Sequence, residues 1–362
     1  MTQPMAQDDL IVWRPEGLYC PAGDFHIDPW RPVDRAVLTH AHADHARAGH
    51  RHVLASAPSE HVLRARLGAQ LPLQTLAYGE VVEHRGVRLS LHPAGHVLGS
   101  AQVRLEAGGQ VWVASGDYLL SAHDEAQPTC APFEPVRCDV FITESTFGLP
   151  VYRWAPQAET AAQINAWWAA NAAQGRPSLL LGYSFGKAQR LLAALDPAIG
   201  PIRVHEAVAT MNAACRAGGM VLPEAPVLPA RPDRRALAGA LLLAPPALQD
   251  SAWSRRLGDP AVAFASGWMA VRGQRRRRGV DRGFVLSDHA DWPGLQRAIR
   301  ATGASRVIVT HGYEAELVRW LQSQGLQAAS FGAVGWSEDA QDDALAVPAA
   351  AAAADTLLPP TV

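Results

Sequence analysis

Over the first 150 positions, apolar residues come in short runs closed by Gly, Pro, Asp or His. Runs at residues 35–39, 87–91, 101–105, 110–114 and 139–143 have the length and the β-branched and aromatic content of strands. They predict a β-rich region with polar residues at strand ends. From about residue 152 to 279 the period changes. Helical spacing of apolar positions over 158–173 and 188–195 predicts amphipathic helices, the apolar run 178–181 predicts a buried strand, and residues 222–232 form a Pro-rich loop. Strand-like runs return at 283–287 and 306–310, each closely followed by a histidine, with a helix predicted at 293–301 between them. A β-rich part is thus interrupted by an α/β segment and then resumed, with no solenoid repeat. From about residue 337 the chain turns polar and then Ala- and Pro-rich (347–360), which predicts a solvated tail.

Length and composition narrow the class. The 362 residues suit two domains, or one domain carrying a large insertion, and 48% hydrophobic against 18% charged residues fit a globular core. A net charge of −2 excludes a global field for polyanions, so any nucleic-acid contact has to come from a local basic patch or from bound cations. Cys20, Cys130, Cys138 and Cys215 show no CxxC spacing, which points to a reducing compartment. The first ten residues have no basic start and no apolar run, and no stretch of eighteen apolar residues occurs. The expectation is a soluble, cytoplasmic protein.

The chemistry concentrates in His40-Ala41-His42-Ala43-Asp44-His45, placed after a β-branched run and before an expected helix start. One loop there can turn His40 and His42 toward one cation and Asp44 and His45 toward another, because imidazole and carboxylate together suit zinc and similar ions. His96 in Ala94-Gly95-His96, Asp117 in Ser115-Gly116-Asp117 and His311 in Thr310-His311-Gly312 each lie beside a small residue that lets backbone approach a site. Taken singly, a capping aspartate or a hydrogen-bonded core histidine explains each of these as well.

The order of these motifs resembles the metallo-β-lactamase superfamily. The resemblance implies an α/β fold, an αββα sandwich, with His40, His42 and His96 on one metal, Asp44 and His45 on the other, and Asp117 bridging. Asp28, in His26-Ile27-Asp28-Pro29, would orient the ligand loop, although an Asp before Pro also makes an ordinary turn. Phe141-Ile142-Thr143-Glu144-Ser145-Thr146-Phe147-Gly148, Leu286-Ser287-Asp288-His289 and Val309-Thr310-His311-Gly312 resemble the three extra motifs of the β-CASP nucleases. They imply a discontinuous lactamase-type domain (10–150 and 284–335) with an inserted α/β β-CASP domain (151–283). Within that group the chain is similar, over about residues 10 to 335, to bacterial ligase-associated DNA damage response exonucleases. The shared phrases are Ile27-Asp28-Pro29-Trp30-Arg31-Pro32, the segment 182–190, Ser266-Gly267-Trp268-Met269 and the segment 275–289.

The resemblance also implies a hydrolase: a metal-dependent DNA exonuclease of DNA repair, associated in function with a DNA ligase and a helicase. An RNA-processing β-CASP ribonuclease is the second reading. Two divalent ions, Zn2+ or alternatively Mn2+, would be held by His40, His42, His96, Asp44, His45, Asp117 and His311 and would make hydroxide available near neutral pH. His289 would protonate the leaving oxygen or stabilise the transition state, held by Glu144, for which a salt bridge to an arginine is the alternative.

Gly182-Tyr183-Ser184-Phe185-Gly186-Lys187 opens a helix after a strand but has one residue too few between its glycines for a nucleotide phosphate loop. Lys187 and Ser184 are candidates for a nucleic-acid phosphate, with helix capping as the alternative. Arg275, Arg276, Arg277 and Arg278 are candidates for backbone contact, with solvated charge as the alternative. At most one of Trp167 and Trp168 can face the core. His50, His52, His61, His84, His92 and His205 match no motif and are expected to be structural.

Overall fold

The computed structural model describes residues 9–120, 128–233 and 235–331. The expected tail at 337–362 and the last residues of the 284–335 segment lie outside them. Strands β1 (Val12–Arg14), β2 (Gly17–Cys20), β3 (Phe25–Ile27), β4 (Arg35–Val37), β5 (His52–Ser56) and β6 (Leu73–Leu76) form one sheet in that order. Helix α1 (Glu60–Leu67) joins β5 to β6. The second sheet begins with a meander, β7 (Val81–His84), β8 (Val87–Pro93), β9 (Ala101–Ala107) and β10 (Gln110–Ala114), beside which β11 (Val140–Ser145) runs parallel.

A third sheet follows, built from α2 (Gln157–Ala172), β12 (Ser178–Leu181), α3 (Lys187–Ala194), β13 (Ile202–Val204), α4 (Glu206–Ala217), β14 (Leu241–Ala244), α5 (Ala252–Arg255), β15 (Ala261–Ala265), α6 (Arg272–Arg278) and β16 (Arg282–Phe284). Its strands are all parallel, in the order β13-β14-β12-β15-β16. The chain then returns through α7 (Trp292–Thr302), β17 (Arg306–Gly312), α8 (Glu314–Ser323) and β18 (Gln327–Ser330), and β17 pairs directly with β11. Two strands that are neighbours in space are therefore separated in sequence by an entire sheet.

Side-chain alternation explains the layers. Ala101, Val103 and Leu105 of β9, with Trp112 and Ala114 of β10, point into a core shared with Phe25, Ile27 and Val37 of the first sheet. Val113, Phe141, Val307 and Val309 point the other way, onto Leu295, Ile299, Leu317 and Leu321 of α7 and α8. Central strands covered on both faces read as continuous apolar runs, which is why β11 and β17 are visible in sequence. The third sheet repeats the pattern: Leu180, Leu241 and Leu243 face a core with α2, α3 and α4, while Leu179, Leu181 and Leu242 face the other side.

One expectation is corrected. No helix begins after His45, because the backbone makes a single turn there (His45 and Ala46 amides to the His42 carbonyl, 3.2 and 2.8 Å) and Gly49 then takes φ +97°. The parallel pair β4 and β5 is connected by the ligand loop itself, with no crossover helix. Among the described residues no helix is long and apolar enough to cross a membrane.

Trp168 is fully buried and donates its indole NH to the Gly239 carbonyl at 2.9 Å, while Trp167 packs edge-on against Phe284. Trp168→Ala is expected to lower stability by about 3–5 kcal/mol in urea unfolding. The same truncation at Trp167, which is only partly buried, should cost less than half as much.

Candidate metal centre

Three loops at strand ends converge. Leu38 to His45 follows β4, residues 94–100 join β8 to β9, and residues 115–118 follow β10. Asp28, itself in a left-handed conformation (φ +46°), organises the first loop. Its carboxylate accepts from the Thr39 amide (2.7 Å), the Thr39 hydroxyl (2.5 Å) and His45 Nδ1 (2.7 Å). Arg66 of α1 donates to the Ala41 carbonyl, and burial pushes its pKa down to about 10. Gly116 (φ +56°) brings the third loop against the first: a Cβ there would lie 2.7 Å from Thr39 Cβ.

The hydrogen-bond pattern fixes which ring nitrogens face inward. The carbonyl of Phe185 can only accept, so His42 Nε2 donates to it (3.3 Å) and Nδ1 keeps its lone pair. The carbonyl of Asp288 likewise takes the proton of His96 Nδ1 (2.8 Å), leaving a lone pair on Nε2. The Thr39 hydroxyl donates to Asp28, so it accepts from His40 Nδ1 (3.0 Å), and His40 Nε2 also carries a lone pair. These three basic nitrogens meet at the centre: His42 Nδ1 lies 3.1 Å from His40 Nε2 and 3.0 Å from His96 Nε2. Asp117 Oδ2 completes the group at 3.5 Å from His40 and 3.9 Å from His96.

Lone pairs at that separation repel unless a cation lies among them. A tetrahedral zinc shell with bonds of about 2.0–2.1 Å has donor–donor edges of about 3.3–3.4 Å. The observed edges bracket that value, so the buried donor set fits a metal ion. A second group adjoins it. His45 Nε2 lies 3.3 Å from Asp117 Oδ2 and 3.7 Å from Asp44 Oδ2, and the His311 ring stacks on His45 with centroids 5.3 Å apart. The ligand atoms of His45, Asp117 and His311 cluster as a set, and the buried Asp44 Oδ1 has no hydrogen-bond partner.

Electrostatics agree with this arrangement. Burial holds the pKa of His40 and His96 well below the usual histidine value and brings that of His42 to about 4, so these rings are neutral at pH 7. At His45 burial acts in the same direction, but the carboxylates of Asp117, Asp44 and Asp28 outweigh it and raise the value well above the usual one. Burial would raise Asp117, yet His45 and His289 hold it well below the carboxylate range.

Beside the cluster, His289 Nδ1 sits 3.0 Å from both oxygens of Glu144, and the His289 amide donates to Ser287 Oγ. Glu144 Oε1 also accepts from the Tyr118 amide at 2.8 Å, which ties β11 to the loop after β10. The His289 and His96 rings are 4.6 Å apart. Residues from both ends of the sequence therefore share one centre.

Other candidates lie elsewhere. Lys187 is not a surface phosphate contact: it is 4% exposed, and its ammonium meets the Leu286 carbonyl (2.9 Å) and Asp288 Oδ1 (3.0 Å). Ser184 is likewise buried, in the turn before α3, where its carbonyl accepts from Gln189. Arg276, Arg277 and Arg278 are exposed on α6, with Arg278 over the Phe264 ring, and the Arg275 side chain lies outside the described ones. His50 accepts from the Val33 amide, and His205 caps α4. Sequence reasoning missed Arg190 and the role of Asp288. Arg190 reaches Asp288 Oδ1 at 3.3 Å and the His96 carbonyl at 3.2 Å, so α3 clamps the backbone that holds two site histidines. Nothing in the local spacing of Arg190 marks it.

Comparison with known proteins gives partial similarities. No family model matches the chain. It is 33% identical over 320 residues to a probable DNA ligase of Opitutus terrae, a match covering 87% of this chain and 30% of that protein. It is 33% identical over 124 residues to the endoribonuclease YSH1 of Candida albicans (34% of this chain, 14% of that protein). Over 124 residues it is 31% identical to cleavage and polyadenylation specificity factor subunit 3 of Dictyostelium discoideum (34% and 16%). The chain thus spans under a third of each of these relatives. A crystal structure of a protein of unknown function from Enterococcus faecalis superposes with a TM-score of 0.56 at 11% identity, covering 82% of this chain and 78% of that one, and shares its fold.

The clamp on Asp288 predicts a pH-dependent stability. Burial would raise its pKa, but Lys187 and Arg190 hold it below the usual carboxylate range. A depressed native value stabilises the fold in full above the unfolded pKa of about 3.9, and the contribution disappears as pH falls through the native value. Asp288→Asn is expected to lose about 3–5 kcal/mol at pH 7, since two buried cations lose their partner. That difference should shrink when denaturation is measured below about pH 4.

Proposed function

We propose that this chain is a metal-dependent nuclease with DNA as its substrate, acting in DNA repair. In this reading an αββα sandwich of the metallo-β-lactamase type carries, at residues 151–283, an inserted unit of the β-CASP type. The observation that carries the proposal is the convergence of the His40, His42 and His96 lone pairs on Asp117, with the Glu144–His289 pair alongside. His40, His42, His96 and Asp117 would hold one divalent cation, and Asp44, His45, Asp117 and His311 a second, zinc or manganese. Bound there, the cations would neutralise phosphate charge and lower the pKa of water toward neutrality.

The chain's own groups supply the rest. Glu144 engages Nδ1 of His289, which fixes the tautomer and leaves Nε2 as the nitrogen that carries a proton to the departing oxygen. Asp28 keeps His45 and Thr39 oriented, and the carbonyls of Phe185 and Asp288 do the same for His42 and His96. Support for DNA comes from the similarity that runs along most of the chain to a protein named as a DNA ligase. The shorter similarity to proteins named as endoribonucleases supports RNA as the second reading.

End-labelled DNA and RNA incubated with zinc- or manganese-loaded protein test this proposal. His289→Ala is expected to cut turnover by about 10²–10⁴-fold with metal retained, and Asp117→Ala to abolish both turnover and full metal content. Cleavage of RNA alone would overturn the DNA reading, and full activity of Asp117→Ala would overturn the metal site. Asp28→Ala should weaken metal retention by about 10–100-fold, read by metal content after dialysis against a graded chelator.

A further inference from the structure

A cleft of about 650 Å3 opens where the chain enters and leaves the third sheet. Arg153 stands before α2, Arg276 lies on α6 and Arg282 begins β16, and all three line it and are exposed. Several arginines elsewhere are matched to carboxylates, as in Arg64 with Glu60, Arg88 with Glu106 and Arg306 with Asp9, and others to backbone carbonyls, as in Arg255 with Asp250 and Arg256 with Ala230. Among the described residues no carboxylate pairs with Arg153, Arg276 or Arg282. The one acid in the lining, Asp281, accepts from the Val262 amide (3.0 Å) and lies 3.8 Å from Arg176. In a chain of net charge −2, three uncompensated guanidiniums around one cleft make a local positive site.

Aromatic rings connect this cleft to the metal centre. Trp154, next to Arg153, donates its indole NH to the His289 carbonyl at 2.9 Å and its amide to Asp291 at 2.8 Å. Phe147 lies 6.0 Å from the His289 ring and 4.8 Å from both Trp154 and Trp268, and Trp268 sits on the helical turn Gly267–Ala270, whose last residue lines the cleft. Phe147 is buried and Trp154 and Trp268 are partly buried, so these packed rings tie the cleft wall to the segment that carries His289, and the guanidiniums supply the contact for a phosphate backbone.

We infer that this cleft is a binding track for the phosphodiester backbone of a nucleic-acid strand, with Arg153, Arg276 and Arg282 contacting phosphates remote from the one being cleaved. The inference rests on the nuclease reading above and adds the path of the strand. It assigns the positive charge to three separate elements, only one of which belongs to the arginine run of the sequence.

The test is fluorescence anisotropy of a labelled single-stranded 20-mer with chelator present, so that nothing is cleaved, for wild type and for Arg153→Gln/Arg276→Gln/Arg282→Gln. The triple variant is expected to bind at least about tenfold more weakly at 0.1 M salt. Its log K against log salt slope should be shallower by about 2, three contacts at about 0.7 each. The triple Lys variant should restore most of the slope, because charge at these positions, and not their packing, is what matters. Thermal midpoints should stay unchanged, since the three side chains are exposed. An unaltered affinity and slope in the Gln variant would overturn the track. Failure of metal-loaded wild type to cleave both this oligonucleotide and its counterpart of the other nucleic acid would overturn the nuclease reading itself.

Discussion

Basic nitrogens of three buried imidazoles face one another at about 3 Å, with a carboxylate closing the group. Such a cluster is self-repulsive, and the surrounding chain is arranged to hold it anyway. Each outward ring nitrogen is spent on a fixed partner: Thr39 for His40, the Phe185 carbonyl for His42 and the Asp288 carbonyl for His96. Those partners set the tautomers, so the inward face consists of acceptors alone. A set of converging acceptors in a dry site is a receptor for a cation.

Two of the three partners belong to segments distant in sequence. Phe185 lies just before α3 and Asp288 just after β16, so the third sheet holds both ends of the arrangement. The ion cluster of Lys187, Arg190 and Asp288 fastens that connection, with Lys187 and Arg190 on one helix gripping the carboxylate whose backbone carries His289. Burial of this cluster is costly in itself, and it is tolerated because every charge meets an opposite one. Residues that resembled phosphate ligands are thus the joint between the two sheet systems.

The Glu144–His289 pair follows from the same joint. Glu144 ends a central strand and His289 follows β16, and they meet because β17 returns to pair with β11 across the gap left by the third sheet. His311, at the end of β17, adopts φ +56° at an irregularity in that pairing, which turns it toward His45. Local backbone irregularity at strand ends is what aims these side chains.

The amino-acid sequence by itself determined whatever depends on near neighbours. The donor types at residues 40–45, the apolar runs of the central strands, the helices near 158–173 and 293–301 and the change of period after residue 152 are properties of short windows. Short strands such as β1 and β3 carry too few residues for a period to show, and the turn after His45 was set by the need to bring β5 beside β4. Tertiary structure alone decided which nitrogen of each histidine points inward, that Lys187 is buried in an ion cluster, and that Arg153 and Arg282 flank the same cleft as Arg276. Apart from the Thr39 contact that orients His40, these depend on contacts between residues about a hundred or more positions apart, and no local pattern encodes the direction from which such a partner arrives.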